Sequence, residues 1–429
     1  MAGHTVMQLG PRATVGLLAM LVVLGCSCEQ SAPGDATPRD AALDAATDRG
    51  SEAAHDSRAD LLEPDASKRP CGVDRKLSPK VITPYAPTPC GTGCKQISFG
   101  QDPFLQYDIV GDLVVYTNGN GAYGWRVSMV DLKSGKEQQL HPDWDNVSQG
   151  CSRVATDGTK LAYTCILDRA SASVPTWTRT ITVFDPATNI AKDVYCMPRK
   201  LADDPCYPSF IAMGTTGIAL NMSLTACSKI DALFYRYADG TLTNVSKTYG
   251  GVGALHMSGR YIAYKQDERA MVFDTVTNTA IQLDKKATAA QCQVHVEGDK
   301  VVWSDMRNGK GDCWDPKSGD IYMHDLKTHK TVAISTHKAQ QEWPDVWGDW
   351  VVWQDWRNAK VTNPGLGPSD KSDIYAKHLP SGKEVQLTDF KGYSLRPRIH
   401  GNKVIYRMRD TWGVALFLID LDVRYPSGP

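Results

Sequence analysis

The chain has 429 residues, with 47 basic against 48 acidic side chains and a formal charge of −1. That balance, with no basic stripe and no interleaved stacking aromatics, excludes a nucleic-acid polyanion as ligand. Twelve cysteines and many short β-branched and aromatic runs, divided by Gly, Pro and Asn, point to an exported, disulfide-bearing, all-β protein.

Residues 1–25 read as a targeting segment. Arg12 gives the positive flank and Val15 to Leu24 the apolar core, which is too short to cross a bilayer. The core ends in Val23-Leu24-Gly25-Cys26, which resembles the lipobox of bacterial lipoproteins. The resemblance implies cleavage before Cys26 and lipidation of Cys26. Ser27, where Asp would retain the protein at the inner membrane, implies the outer membrane. Residues 26–89 are then expected to be a disordered tether. Their Ala-, Asp-, Ser- and Pro-rich composition buries too little apolar surface to offset chain entropy.

Residues 90–425 repeat one unit. Successive copies start near Asp108, Asp157, Pro208 (degenerate), Met257, Val294, Gln341 and Arg396. The clearest is QQEWPDVWGDWVVWQDWRNAK followed by SDIYAKHLPSGKEVQLTD. It gives four short strands, separated by the Gly348-Asp349 turn, a loop opening at Asp355, and Pro380-Ser381-Gly382-Lys383. The second strands end on Tyr116, Tyr163, Leu220, Tyr264, Trp303, Trp353 and Tyr406, at a repeat of about 40–55 residues. Such a sheet has two apolar faces and buries them only between neighbours. The expected fold is therefore an all-β, seven-bladed β-propeller of four-stranded antiparallel blades. The last copy lacks a fourth strand, and Lys95 to Phe99 is expected to supply it and close the ring.

Export permits disulfides. Three copies place one Cys near the start of the first strand and another near the end of the second, which pairs Cys151 with Cys165, Cys206 with Cys227 and Cys292 with Cys313. Loops of this size stabilise by about 3 kcal/mol each in the chain-entropy model. Cys71, Cys90, Cys94 and Cys196 have no assigned partners, and the spacings match no zinc pattern.

Three features bear on function. Three residues before the turn glycine, the first strands carry Asp108, His256, His295, Asp345 and Arg398, with Ala155 and Ala212 in the other two copies. First strands line a propeller's axis, so this ring could meet a ligand or ion: the His and Asp pairs suit a transition metal, and the arginine suits a carboxylate. No metal ligands and no cofactor are assigned from the sequence. The second feature is Asp-x-Arg-Asn at Asp305-Arg307-Asn308 and Asp355-Arg357-Asn358, each followed by Asp-Ile-Tyr. It reads as a structural tie between loop and third strand. The third is a tryptophan-rich rim, with Trp314 and Trp356 in loops beside the Gly/Pro-rich stretch 363–372. Exposed aromatics there suit a sugar ring or a protein partner. Asp143 and Asp145 only weakly resemble a calcium loop.

The GD-x-VVW-x-D-x-RN…DIY pattern resembles the TolB-type propeller repeats of exported microbial surface proteins. That family's role implies a periplasmic scaffold binding protein partners at the channel mouth. With no Gly-x-Ser-x-Gly elbow, His-Glu-x-x-His or phosphate loop, the expected function is a non-enzymatic, lipid-anchored, monomeric scaffold for an envelope protein. Two alternatives stand beside it: glycan binding at the tryptophan rim, and a metal-dependent polysaccharide lyase working in the channel.

Overall fold

The computed structural model describes residues 74–82, 90–100, 106–119, 125–140, 151–171, 174–196, 210–222, 230–246, 252–285, 287–309, 313, 319–360, 371–409, 414–426 and 428–429. Almost all of them lie in strands and the turns between strands. The helix among them, Leu421–Arg424, follows the last strand. The fold is a β-propeller built from consecutive antiparallel meanders.

Each meander runs outward from a first strand. These inner strands are Tyr107–Val110, Cys151–Thr156, Ile211–Gly214, Gly253–Ser258, Gln291–Glu297, Gln341–Trp347 and Gly392–His400. Each pairs with the next strand in sequence through a short turn. Tight turns at Gly111, Gly259, Gly298, Gly348 and Gly401 use positive φ, from 52 to 63°, which glycine adopts without a steric cost. The aromatic or leucine near the end of every second strand is buried. Tyr116, Leu220, Tyr264, Trp303, Trp353 and Tyr406 are fully so and Tyr163 nearly so.

The core lies between neighbouring sheets. Ala263 and Val272 of one meander meet Val294, Val301 and Trp303 of the next. Tyr107, Ile109 and Val114 of the first meet Ile405, Leu416 and Leu418 of the last. The strand Cys94–Gly100 pairs antiparallel with Val414–Asp420, Lys95 opposite Leu418 and Phe99 opposite Ala415. The fourth strand missing from the last copy thus comes from the other end of the repeat region.

Ordered structure reaches into the stretch expected to be tether. Asp74–Lys76 adds an outer strand to Ile190–Cys196, and Lys80–Ile82 adds one to Lys136–Leu140. Between them Leu77 is buried against Leu161 and Phe184, and its N–H donates to the Asn189 carbonyl at 2.9 Å. One apolar anchor and paired backbone order a segment whose average composition argued for disorder.

The repeated Asp-x-Arg-Asn is the structural tie it was read to be. Asp305 accepts from the Trp303 indole N–H (2.8 Å) and from the Arg307 guanidinium (2.8 and 2.6 Å). Arg307 in turn lies 4.1 Å over the Tyr322 ring, and Asn308 reaches Asp320 at 2.6 Å. The second motif repeats this with Trp353, Asp355, Arg357, Tyr375, Asn358 and Asp373. Cys151–Cys165 and Cys292–Cys313 are disulfide-bonded, the first pair directly opposite in register. Cys90–Cys94 forms a further bridge and Cys196 is also disulfide-bonded. Cys206, Cys227 and Cys71 lie outside the described residues, as does Cys26.

Asp355 is fully buried, so Asp355→Ala strands a guanidinium and an indole N–H. We expect a loss of about 3 kcal/mol in urea unfolding. Arg357→Lys keeps the charge but not the planar fork, and should cost less, about 1 kcal/mol.

Candidate channel site

All five sequence-predicted channel residues line one cavity of about 210 Å³. Their placement follows from a repeated backbone device. Five inner strands carry a β-bulge, and the bulged residues Arg153, Ala254, Gln293, Trp343 and Arg396 have φ of 50, 30, 45, 54 and 50°. Two residues beyond each bulge stands Ala155, His256, His295, Asp345 or Arg398. A bulge re-aims the side chains that follow it, and here it sends them to the axis.

Two of these side chains bridge adjacent inner strands. Asp108 accepts its own neighbour's N–H, Ile109, at 3.0 Å and the Thr156 N–H of the next inner strand at 3.1 Å. Asp345 does the same for Val346 (2.9 Å) and Ile399 (3.0 Å). His256 Nδ1 lies 3.1 Å from the Val296 carbonyl on the following strand. The Val296 N–H also approaches this nitrogen, at 3.5 Å.

His256 and His295 stack with ring centroids 4.7 Å apart and planes 4° from parallel. His295 Nδ1 lies 3.2 Å from Asp345 Oδ1, and one Arg398 guanidinium nitrogen lies 2.6 Å from His295 Nδ1 and 3.0 Å from its Nε2. Ligand atoms of His256, His295 and Asp345 lie within 4.8 Å of one another. Burial, then the neighbouring positive charges, lowers His256 to about 3. Burial and Arg398 lower His295 to about 4, against the pull of Asp345. Both imidazoles are thus neutral at pH 7, the form that binds metals. Burial raises the Asp345 carboxyl, but the His295 hydrogen bond and the charges of His295 and Arg398 outweigh it and leave it lowered and ionised. Asp108 is the reverse case: burial dominates Arg398 and pushes it up to about 6.

Arg153 and Arg396, which were not singled out from the sequence, also line the cavity, as does Trp343 of the tryptophan patch. A signal existed, since strand alternation puts the residue two positions upstream on the same face. The rim residues are less exposed than expected. Trp356 is half-buried against Tyr393, and its N–H donates to Glu342 at 2.8 Å. Trp314, Asp143, Asp145 and 363–370 lie outside the described residues.

No protein-family model matches the chain, and no curated protein matches it. Solved structures do. An oligogalacturonate lyase from Vibrio parahaemolyticus is 9% identical with a TM-score of 0.54, over 82% of this chain and 98% of that one. An oligogalacturonate lyase in complex with manganese is 13% identical with a TM-score of 0.51, over the same shares. A prolyl endopeptidase is 14% identical with a TM-score of 0.52, over 76% of this chain and 47% of that one. At these identities the likeness is one of fold. It still corrects the expectation of a non-enzymatic scaffold, since these three similar structures are of enzymes.

The Asp108 shift has a measurable sign. The native state holds a proton at this carboxyl up to about pH 6, whereas the ordinary value is 3.8. Between those values the folded chain binds more protons than the unfolded one, so stability falls as pH rises. The contribution is at most about 3 kcal/mol. Asp108→Asn should flatten that part of the stability–pH curve measured by urea unfolding.

Proposed function

We propose that this protein is an enzyme whose active site is the channel cluster, acting with a divalent cation on an acidic oligosaccharide by β-elimination. The single observation that carries this reading is the convergence of His256, His295 and Asp345 within 4.8 Å in an open cavity. The donor set fits: two neutral imidazoles and an ionised carboxylate suit a manganese-type ion. The Nδ1 atom of His256 is held by Val296, the usual kind of outer support of a ligating histidine. His256, His295 and Asp345 would hold the cation. Bound there, it supplies positive charge against a substrate carboxylate and so acidifies the proton on the adjacent carbon. Arg398 gives a second positive group on the same side of the cavity. Asp108, with its carboxyl at about 6, is the residue placed to exchange a proton near neutrality. The fold shared with two oligogalacturonate lyases, one crystallised with manganese, favours this substrate class.

The wider setting is also our proposal. The meanders form a seven-bladed ring of TolB-like repeats, closed by Cys94–Gly100. The hydrogen bond from Tyr107 to the Leu395 carbonyl (3.0 Å), and that from Gly111 N–H to His400 (2.9 Å), support closure between first and last blades. Residues 1–25 are removed, Cys26 is lipidated, and a tether holds a monomeric domain at the outer membrane. The Cys26 sequence context supports this. Cys26→Ser should move the protein from the membrane to the soluble fraction.

Purified protein should retain about one manganese per chain and release unsaturated product from oligogalacturonate, read by ultraviolet absorbance. His256→Ala with His295→Ala should lose both. Wild-type protein that binds no divalent metal and yields no unsaturated product overturns the reading.

A further inference from the structure

We propose that Arg398 is the resident cation of the channel cluster, seated on the His295 lone pair that a metal ion would take, and that it couples the two ligands of the site. A carboxylate that draws Arg398 away raises the affinity for a divalent cation, and the cation raises the affinity for the carboxylate. This rests on the reading of His256, His295 and Asp345 as cation ligands and adds the regulation of that site.

Three observations carry it. The first is exclusive occupancy. One guanidinium nitrogen of Arg398 lies 2.6 Å from His295 Nδ1 and 3.0 Å from its Nε2. A neutral imidazole has one N–H and one lone pair. Whichever ring nitrogen carries the proton, the guanidinium is within hydrogen-bonding distance of the other. It therefore takes the lone pair that a metal ion needs. His256 and Asp345 complete the donor set, within 4.8 Å.

The second is how loosely Arg398 is held. Arg307 is paired with Asp284 and Asp305, and Arg357 with Asp355 and Glu384. Each of those guanidinium groups also lies 4.1 Å over a tyrosine ring. Among the described residues Arg398 makes no ion pair, and its side-chain hydrogen bonds go to His295 alone. The aspartates on the neighbouring inner strands are already engaged with backbone. Both oxygens of Asp108 accept N–H groups, from Ile109 and Thr156, and both of Asp345 do, from Val346 and Ile399. An incoming carboxylate offers Arg398 a bidentate, doubly charged pair, which outcompetes a bond to a neutral ring.

The third is placement. Asp345 accepts the N–H of Ile399, next to Arg398, and the Gly111 N–H of the Asp108 strand donates to His400, two residues beyond Arg398. Arg398 thus stands between the two aspartate strands and lines the open cavity of about 210 Å³. A divalent ion bound while Arg398 stayed in place would set two positive centres against one imidazole, and their repulsion is strong out of water. A carboxylate on Arg398 removes that conflict. By linkage the coupling has the same size in both directions.

The test is calorimetric titration of the intact, metal-stripped protein with manganese chloride, alone and with excess D-glucuronate or D-glucose, corrected by blank titrations of each sugar with manganese. We expect glucuronate to tighten manganese binding at least about fivefold, glucose to leave it unchanged, and manganese to tighten glucuronate by the same factor. Arg398→Gln should bind manganese at least about tenfold more tightly than wild type with no sugar present. Arg398→Lys keeps the charge and should stay closer to wild type. If glucuronate has no effect on manganese binding to wild type, or if folded Arg398→Gln binds manganese no more tightly than wild type, the coupling is overturned and the metal site stands. If neither wild type nor Arg398→Gln binds manganese with or without glucuronate, the metal reading falls and this one with it.

Discussion

The inner strands of this protein face a hydrogen-bonding problem, and carboxylates solve it. Each inner strand pairs along one edge with its own second strand. Among the described residues no ladder joins one inner strand to the next. The backbone N–H groups at that junction are nonetheless withdrawn from water. A buried donor left unpaired costs about 1–3 kcal/mol. Asp108 serves Thr156 across one junction and Asp345 serves Ile399 across another. His256 contacts Val296 across a third junction, at the carbonyl (3.1 Å) and the N–H (3.5 Å). The polar ring is part of what holds neighbouring sheets in register.

That constraint also makes the site. Groups needed to satisfy backbone at the axis are the groups a ligand meets on entering. Their distribution is uneven. Asp108, His256, His295, Asp345 and Arg398 take one side, whereas Ala155 and Ala212 stand at the equivalent positions elsewhere. Ala155 packs with Ile181, Met213 and Ile218 in an apolar cluster, and Ala212 packs with Leu255 and Met257 in another. At those junctions burial replaces hydrogen bonding. The ring is thus uneven, with its titratable members grouped together and alanines at the two remaining positions.

Much of the fold was legible in the sequence for physical reasons. The second-strand aromatics recur because each must fill the gap between sheets, and Trp303 and Trp353 are buried where the repeat placed them. Asp305 and Asp355 recur because a buried indole N–H and a guanidinium need one acceptor. Cys151 and Cys165 could be paired because a hairpin sets them opposite. The strands at 74–82 were not legible, because a single buried Leu77 decides them and composition averages it away. The channel ring was found, but its character was not. Whether His256 and His295 are separate residues or a stacked pair beside Asp345 depends on the bulges, and strict alternation does not announce a bulge. Arg153 and Arg396 were passed over, and a scaffold was expected where three solved structures of similar fold are enzymes.

The central claim is that the axis holds an ion among His256, His295 and Asp345. The most direct measurement is anomalous X-ray scattering from crystals grown with manganese. The account predicts one strong peak bonded to these three residues, with the Arg398 guanidinium withdrawn from His295. A channel without a peak, with Arg398 still donating to His295, would contradict it.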